Sequence, residues 1–266
     1  KQNGRNDFEF YTSNLNFIAH QWLEMENGIR QALIDSQLFI MYQPQLENTH
    51  NQLVGMEALI RWRHPERGLI PPLEFIKIAE QSALINQLGE WVLEAACQQM
   101  RIWLDKKFKV PRISINISAR HLRSDNLVKT LNTILAKYNI APAMLCIEIT
   151  EYALLEEVEV VKNNIRAIKN LGFNISLNDF GMGHSSLLSI KRWAVDEVKI
   201  DRSFIEELVN REEDRVIVKA IVALGDALGL DLIAEGVENQ QQADILIASG
   251  CKKVQGYFYS PPLQPK

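Results

Sequence analysis

Glu57, Asn116, Glu148, Asn178, Asp179, Lys199, Glu235 and Gln255 stand at or near the ends of short apolar runs; between them they offer carboxylates, amides and one ammonium. Hard divalent cations such as Mg²⁺ or Mn²⁺ take carboxylate oxygens, amide carbonyls and water in octahedral geometry. Glu57, Asn116, Glu148 and Asp179 supply such oxygens from four successive strand-like runs. A single polar residue at a strand end can simply face water. Acids inside MEALIRW, CIEITEY and LIAEGVE are harder to dismiss, because a carboxylate at the rim of a core needs a partner to offset its desolvation. Histidine is missing from all these positions, which argues against a zinc-type centre. His20, His50, His64, His121 and His184 are scattered and read as surface or structural residues, and none is placed to activate a serine or cysteine nucleophile. Lys199 lies inside DEVKIDRSF. A lysine facing a barrel lumen near metals could orient an attacking water or take its proton, since burial lowers its pKa. The plain alternative is an ion pair with the following acid, Asp201.

Residues so far apart in sequence meet only if the chain brings one end of each run to a common place. The runs are LFIMYQPQLE, LVGMEALIRW, ISINIS, LCIEITE, ISLNDFG, EVKIDR, LIAEGVE and VQGYFYS. Between them lie segments of helical periodicity. FIAHQWLEMENGIRQALID precedes the first run; LEFIKIAEQSAL and GEWVLEAACQQMRIWLDK follow the second. SDNLVKTLNTILAKYN carries Ser124 as its expected N-cap, and LEEVEVVKNNIRAIKNLG closes on Gly172 as a C-cap. SSLLSIKRW, DRVIVKAIVALGDALG and NQQQADILIASG complete the alternation. Strand and helix repeated to eight strands predict a closed (β/α)8 barrel, whose loops at the strand C-termini gather functional side chains at one mouth. An open doubly wound sheet would put its ligand at one crevice instead. No GxGxxG or GxxxxGK[ST] is present, so dinucleotide and P-loop readings lack their fingerprint.

The 266 residues suit such a barrel, which typically takes about 250. A hydrophobic fraction of 47% with 23% charged residues gives a full core. The net charge of −4 offers no basic surface for a nucleic-acid polymer, so an anionic substrate would need local cations or metals. Cys97, Cys146 and Cys251 are odd in number and set in apolar contexts, and read as buried thiols of a reducing compartment. No apolar run reaches the roughly 18 residues of a membrane span and no signal peptide is visible, so the expected location is cytoplasmic, with a longer protein still able to be membrane-tethered.

At its polar strand ends the sequence resembles the EAL-domain family of cyclic di-GMP phosphodiesterases. The Glu-Ala-Leu signature stands as Glu57-Ala58-Leu59. YQPQ from Tyr42 to Gln45, SINISARHL around Asn116, IEITE from Ile147 to Glu151, NDFGMGHSSL, VDEVKIDRSF, AEGVE and QGYFYSPP follow in the family's order. The opening GRNDFEFYT is similar to the last strand of a GGDEF domain. The expected division is therefore residues 1–29 as the end of a preceding GGDEF-like domain, linker and leading helix, and residues 30–266 as the EAL domain.

The resemblance implies an α/β fold, a modified (β/α)8 TIM-type barrel with one antiparallel strand. It also implies hydrolysis of cyclic di-GMP to linear pGpG with two Mg²⁺ or Mn²⁺ ions. By that resemblance Glu57, Asn116, Glu148, Asn178 and Asp179 are metal ligands. Lys199 positions or deprotonates the attacking water, and Glu235 helps hold the second metal or its water. Gln255 hydrogen-bonds within the site, Gln43 and Arg61 contact substrate, and Glu151 braces the loop after the fifth strand. Homodimerisation and upstream GGDEF and sensory domains are the implied partners; SSLLSIKRW with an exposed-looking Trp193 is compatible with a dimer face, and helix packing onto the barrel explains the same apolar residues about as well. One departure matters. The family pattern DDFGTGYSS stands here as Asn178-Asp179-Phe180-Gly181-Met182-Gly183-His184-Ser185-Ser186, so a neutral amide replaces the carboxylate expected to bridge both metals. Two readings follow: an enzyme impaired at its second metal, or a catalytically weak cyclic di-GMP receptor.

Overall fold

The structure, a computed structural model, describes residues 13–155, 158–181 and 193–265. Helix α1 (Ser13–Ile34) leads into β1 (Leu38–Glu47), which turns back through a hairpin into β2 (Gln52–His64) and the short β3 (Gly68–Ile70). Then come α2 (Pro72–Gln81), α3 (Leu84–Asp105), β4 (Arg112–Asn116), α4 (Ala119–Leu122), α5 (Leu127–Tyr138) and β5 (Leu145–Thr150). The chain continues through α6 (Glu151–Leu155), α7 (Glu159–Leu171), β6 (Asn174–Phe180), β7 (Glu197–Ile200) and α8 (Ser203–Glu206). It finishes with α9 (Glu212–Leu228), β8 (Asp231–Ala234), α10 (Gln240–Ala248) and β9 (Lys253–Val254).

The strands run in the order β1-β9-β8-β7-β6-β5-β4-β2, and pairing of β1 with β2 closes the ring; β3 adds to the far end of β2. β1 is antiparallel to both neighbours, whereas every pair from β2 round to β9 is parallel. The modified barrel with one antiparallel strand is thus present, and each of the eight apolar runs overlaps one barrel strand, VQGYFYS only at Val254. β1 runs backwards because a hairpin too short for a crossover helix joins it to β2, and such a connection forces antiparallel pairing.

Alternation along each strand sorts the side chains. Ile113, Ile115, Ile147, Ile149, Ile175, Leu177, Val198 and Ile200 face the helices and form the main core. The intervening positions face the lumen, and they are polar: Ser114, Asn116, Cys146, Glu148, Ser176, Asn178, Glu197 and Lys199. At the strand starts Glu197, fully buried, contacts Arg112, while Lys253 stands 3.7 Å from Glu197 and 2.7 Å from Asp231. This basal cluster lies at the opposite end of the barrel from the strand C-termini. A second, smaller core joins α1, α2 and the start of α3 to Trp62, whose ring meets Phe75 edge-on at 5.5 Å. Gly28 of α1 rests directly on that indole, where an added Cβ would come within 2.9 Å of it.

Some helix ends follow the expected chemistry. Gly172 closes α7 at φ +96°, in the left-handed region that favours glycine. Asn239 heads α10 in a reciprocal capping box with Gln242. Ser124 is a correction: α5 starts at Leu127 after Asn126, and Ser124 instead shapes the preceding turn, its hydroxyl accepting from the Asn126 amide at 3.3 Å. Trp193 is a second correction. It is buried in the main core, so it provides no exposed dimer face. The GRNDFEFYT strand, Met182, His184 and all of the SSLLSIKRW segment before Trp193 lie outside the described residues. Among the described residues no helix is long and apolar enough to cross a membrane. The three cysteines are free and buried, as their contexts predict.

His121 in α4 is 1% exposed, neither ring nitrogen has a hydrogen-bond partner, and its ring fills the space that a side chain on Gly89 would need. Burial pushes its pKa down from 6.5 to about 4. Between those values the unfolded chain binds the proton and the folded chain does not, so stability falls as pH drops from about 6.5 toward 4. Urea unfolding at stepped pH should show His121→Leu losing up to about 3 kcal/mol of that acid-linked decline relative to the parent chain. Parallel stability–pH curves for the two proteins would refute the assignment.

Candidate active site

Three glutamates from three strand ends close on one ammonium. Lys199 Nζ, fully buried, lies 3.1 Å from Glu57 Oε2, 2.8 Å from Glu148 and 2.8 Å from Glu235 Oε1. Glu57 comes from β2, Glu148 from β5, Lys199 from β7, and Glu235 directly follows β8. Amides tie the carboxylates to one another. Gln255 Nε2 donates to Glu57 Oε2 at 2.6 Å and to Gln43 Oε1 at 3.1 Å, and Gln45 Nε2 donates to Gln255 Oε1 at 3.0 Å. Asn116 Nδ2 donates to Glu57 Oε1 at 2.7 Å. Asn178 Nδ2 donates to Asn116 Oδ1 at 3.1 Å and to Glu148 Oε2 at 3.2 Å.

Register explains the convergence. Asn116 pairs with Glu148 across β4 and β5, whereas Asn178 pairs with Thr150, two residues beyond Glu148, and its amide reaches both Asn116 and Glu148. Asn178 and Asp179 are adjacent in sequence and on a regular strand would point to opposite faces. The β6–β7 pairing slips between Leu177 and Phe180, and Asp179 takes φ +58°. That irregularity re-aims Asp179. Its charge then acts on Glu235 and responds to Lys199 and Asp201.

The electrostatics turn on Lys199. Burial by itself would lower its pKa, but Glu148, Glu235 and Glu57 outweigh burial and hold it well above the ordinary lysine value. The sequence expectation of a lowered lysine pKa is therefore reversed, because that expectation counted burial without the three acids. Burial raises Glu57, yet Lys199 and the Gln255 and Asn116 hydrogen bonds bring it below the usual carboxylate value. Glu148 goes the other way: burial and the Glu57 charge push it up to about 8 against the pull of Lys199. Glu235 is raised, chiefly by burial, and Asp179 is raised by burial and then by Asp201.

All eight strand-end residues reach the mouth. Gln43 also donates to Ser260 O at 3.3 Å, and half-buried Arg61 turns Nη1 to Ile60 O at 2.8 Å. Glu151 opens α6, with Oε1 buried and without a hydrogen-bond partner; residues 182–192, which include the loop segment near it in the family pattern, lie outside the described residues. A cavity of about 210 Å³ opens at the mouth between Gln43, Glu57, Arg202, Glu235, Gln255 and Tyr257. Sequence reasoning missed Gln45, which fills the space over Gly55: an added Cβ there would meet its Oε1 at 2.3 Å. It also missed the lumen layer of Ser114, Cys146 and Ser176, whose signal was the small residue two positions before Asn116, Glu148 and Asn178.

The donors are oxygens from carboxylates and amides, which suits a hard divalent cation. Asn178 Oδ1 is buried with no hydrogen-bond donor, and Glu148 Oε1 has only the Lys199 charge beside it, so acceptor capacity remains unmet. Among the described residues, acids and thiols without the amides do not group into a metal site, since the glutamates are turned onto Lys199. With the amide oxygens counted beside Glu57 and Glu148, the donor types suit a hard divalent cation.

Comparison with known proteins agrees with this geometry. The EAL domain family matches residues 26–262. The chain is 40% identical over 263 residues to the "Bifunctional diguanylate cyclase/cyclic di-GMP phosphodiesterase MucR" of Pseudomonas aeruginosa, covering 99% of this chain and 38% of that protein. It is 36% identical over 263 residues to the "Cyclic di-GMP phosphodiesterase PdeR" of Escherichia coli, covering 99% of this chain and 40% of that protein. The chain thus spans well under half the length of these curated relatives. A solved structure described as "PaMucR Phosphodiesterase, c-di-GMP complex" superposes with a TM-score of 0.86 at 40% identity, covering 91% of this chain and 98% of that one. With the family match running over nearly its whole length and the signature glutamate at the centre of the ion cluster, the chain belongs to the EAL domain family.

Proposed function

We propose that this domain is a metal-dependent phosphodiesterase that hydrolyses cyclic di-GMP to linear pGpG. The observation that carries the reading is the convergence of Glu57, Glu148 and Glu235 on Lys199, ringed by Asn116, Asn178 and Gln255, at the strand C-termini of a barrel. Relatives named for cyclic di-GMP hydrolysis support the substrate. Glu57, Asn116, Glu148 and Asp179, with the Asn178 carbonyl oxygen, are the side chains that would hold two Mg²⁺ or Mn²⁺ ions. When bound, such ions supply positive charge that acidifies water and stabilises the attacking and leaving oxygens of an in-line displacement.

The chain's own residues do the rest. Water adds to one phosphorus, one P–O ester bond breaks, and the departing ribose oxygen takes a proton, leaving a 5′-phosphate and a free 3′-hydroxyl. Lys199, held as an ammonium, is a donor that orients the attacking oxygen. Glu235, in contact with Lys199 and open to the mouth, accepts the water's proton. Gln255 and Gln45 lock the Glu57 carboxylate in one rotamer. Arg61 and Gln43 face the substrate side and contact its phosphate and ribose. In the whole protein we place a GGDEF-type domain before residue 30, on the strength of the bifunctional relative, and a homodimer as the working unit.

Asn178 favours a second reading, a cyclic di-GMP receptor with weak turnover. Its amide hydrogens donate to Asn116 and Glu148, so it spends their oxygens where a carboxylate would add a ligand and a negative charge. The second metal is then the weaker one, while substrate still binds because its own phosphate brings negative charge to the ions. With Mg²⁺ or Mn²⁺, Asn178→Asp should raise hydrolysis of cyclic di-GMP about 100-fold, or roughly 2.7 kcal/mol of transition-state stabilisation. Equal rates for both proteins would remove the bridging account; no hydrolysis by either would leave the receptor reading.

A Lys199→Met substitution tests the ion cluster itself. It leaves three buried or half-buried acids without their cation, a change that costs about 3–5 kcal/mol when a buried pair is broken. In thermal denaturation the variant should melt well below the parent without metal and be stabilised by added Mn²⁺ more than the parent is, since the ion replaces lost charge. A melting temperature unchanged by the substitution would show that Lys199 does not hold the acids.

A further inference from the structure

Between β1 and β2 the inward-facing pairs are Gln43 opposite Glu57 and, one layer deeper, Gln45 opposite Gly55. Gln45 is 1% exposed, and its Nε2 donates to Gln255 Oε1 at 3.0 Å across 210 positions of sequence. The other end of the Gln255 amide donates to Glu57 Oε2 at 2.6 Å and to Gln43 Oε1 at 3.1 Å. Gly55 leaves the space this arrangement needs: an added Cβ would lie 2.3 Å from Gln45 Oε1 and 3.3 Å from its Cδ. The φ of Gly55 is outside the left-handed region, so the backbone does not call for glycine there. The demand comes from the neighbouring side chain.

A primary amide keeps its outline when turned half round its last bond, while donor and acceptor change places. Gln255 serves Glu57 only with its NH2 toward the carboxylate; turned over, it sets one acceptor against another. Two neighbours oppose that turn. Gln43 Nε2 donates to Ser260 O at 3.3 Å, which leaves Gln43 Oε1 toward Gln255. Gln43, however, lines the mouth cavity and on the phosphodiesterase reading contacts substrate, whereas Gln45 lies outside the cavity wall. Gln45 is therefore the partner that holds Gln255 while substrate occupies the mouth. We propose that Gln45 is a positioning residue that fixes which end of the Gln255 amide faces Glu57, and that Gly55 is the glycine that lets it reach. The inference rests on the phosphodiesterase reading for its effect on turnover, and adds the two residues that set the polarity of the amide beside Glu57. A hydrogen-bond partner behind a metal-binding carboxylate is worth about 10–100-fold in metal affinity or activity.

Two substitutions separate the parts. Gln45→Met keeps the length and removes the donor; Gly55→Ala keeps every donor and pushes Gln45 aside. Each is compared with Gln255→Met and with the corresponding double substitution, with far-ultraviolet circular dichroism as the check on folding. The measurements are the NMR resonances of the Gln255 side-chain amide without metal, Mn²⁺ affinity by calorimetry, and kcat and KM for cyclic di-GMP in the Asn178→Asp background. Both single substitutions should move the Gln255 amide resonances, weaken Mn²⁺ binding about ten-fold and lower kcat more than they raise KM. On top of Gln255→Met neither should add a further loss, because the effect passes through that amide. A merely structural role would lower the melting temperature and leave the resonances and the Mn²⁺ affinity in place. Unmoved Gln255 resonances, or losses that multiply with Gln255→Met, overturn the positioning role. An effect of Gln45→Met that Gly55→Ala does not reproduce overturns the part given to the glycine. If the Asn178→Asp chain fails to hydrolyse cyclic di-GMP, the phosphodiesterase reading falls, and the metal-free resonances still decide the positioning role.

Discussion

Everything at the mouth depends on one buried ammonium. Without Lys199, Glu57, Glu148 and Glu235 would be acids crowded in low dielectric, and mutual repulsion with desolvation would drive protons onto them or push the strands apart. With it, Glu57 stays ionised and the others are held within reach of a common point. The amides of Gln255, Asn116 and Asn178 then fix which oxygen faces which partner. The acids are thereby kept folded by a resident positive charge.

The barrel is adapted to this demand throughout its lumen. A barrel of this size is usually filled by layers of branched apolar side chains. Here the inward positions hold Gln45, Ser114, Cys146 and Ser176 beneath the mouth, and Arg112, Glu197 and Lys253 below them. Small residues leave room for the long mouth side chains. Glu197 at the strand starts, beside Arg112 and Lys253, centres a second charge cluster in which its Oε1 has no hydrogen-bond partner. The apolar work of folding is moved outward to the isoleucine and valine face that packs on the helices.

Position 178 shows how one atom changes the chemistry that such a frame supports. An amide has nearly the shape of a carboxylate, so the ring of hydrogen bonds closes and the fold is undisturbed. The amide nitrogen, however, donates where a carboxylate would accept, and it brings no negative charge. On the proposed hydrolase reading the geometry is kept, while the attraction for a second cation would fall.

Strand and helix order were legible in the chain because period-2 and period-3.6 patterns each report a local face. Seven of the eight apolar runs hold most of their barrel strand while VQGYFYS touches its strand only at Val254, and Gly172 marks a helix end as its conformational freedom requires. The oxygen-donor character of Glu57, Asn116, Glu148 and Asp179 was equally legible, since residue type alone carries it. Ser124 and Trp193 were misread because a cap depends on which turn closes first and exposure depends on what packs from elsewhere. The charge state of Lys199 belongs to the tertiary structure: it is the sum of contacts with three residues lying between 36 and 142 positions away, and only closure of the ring brings them to one point. The aim of Asp179 is decided there too, by a slip in pairing between β6 and β7 that neither strand encodes by itself.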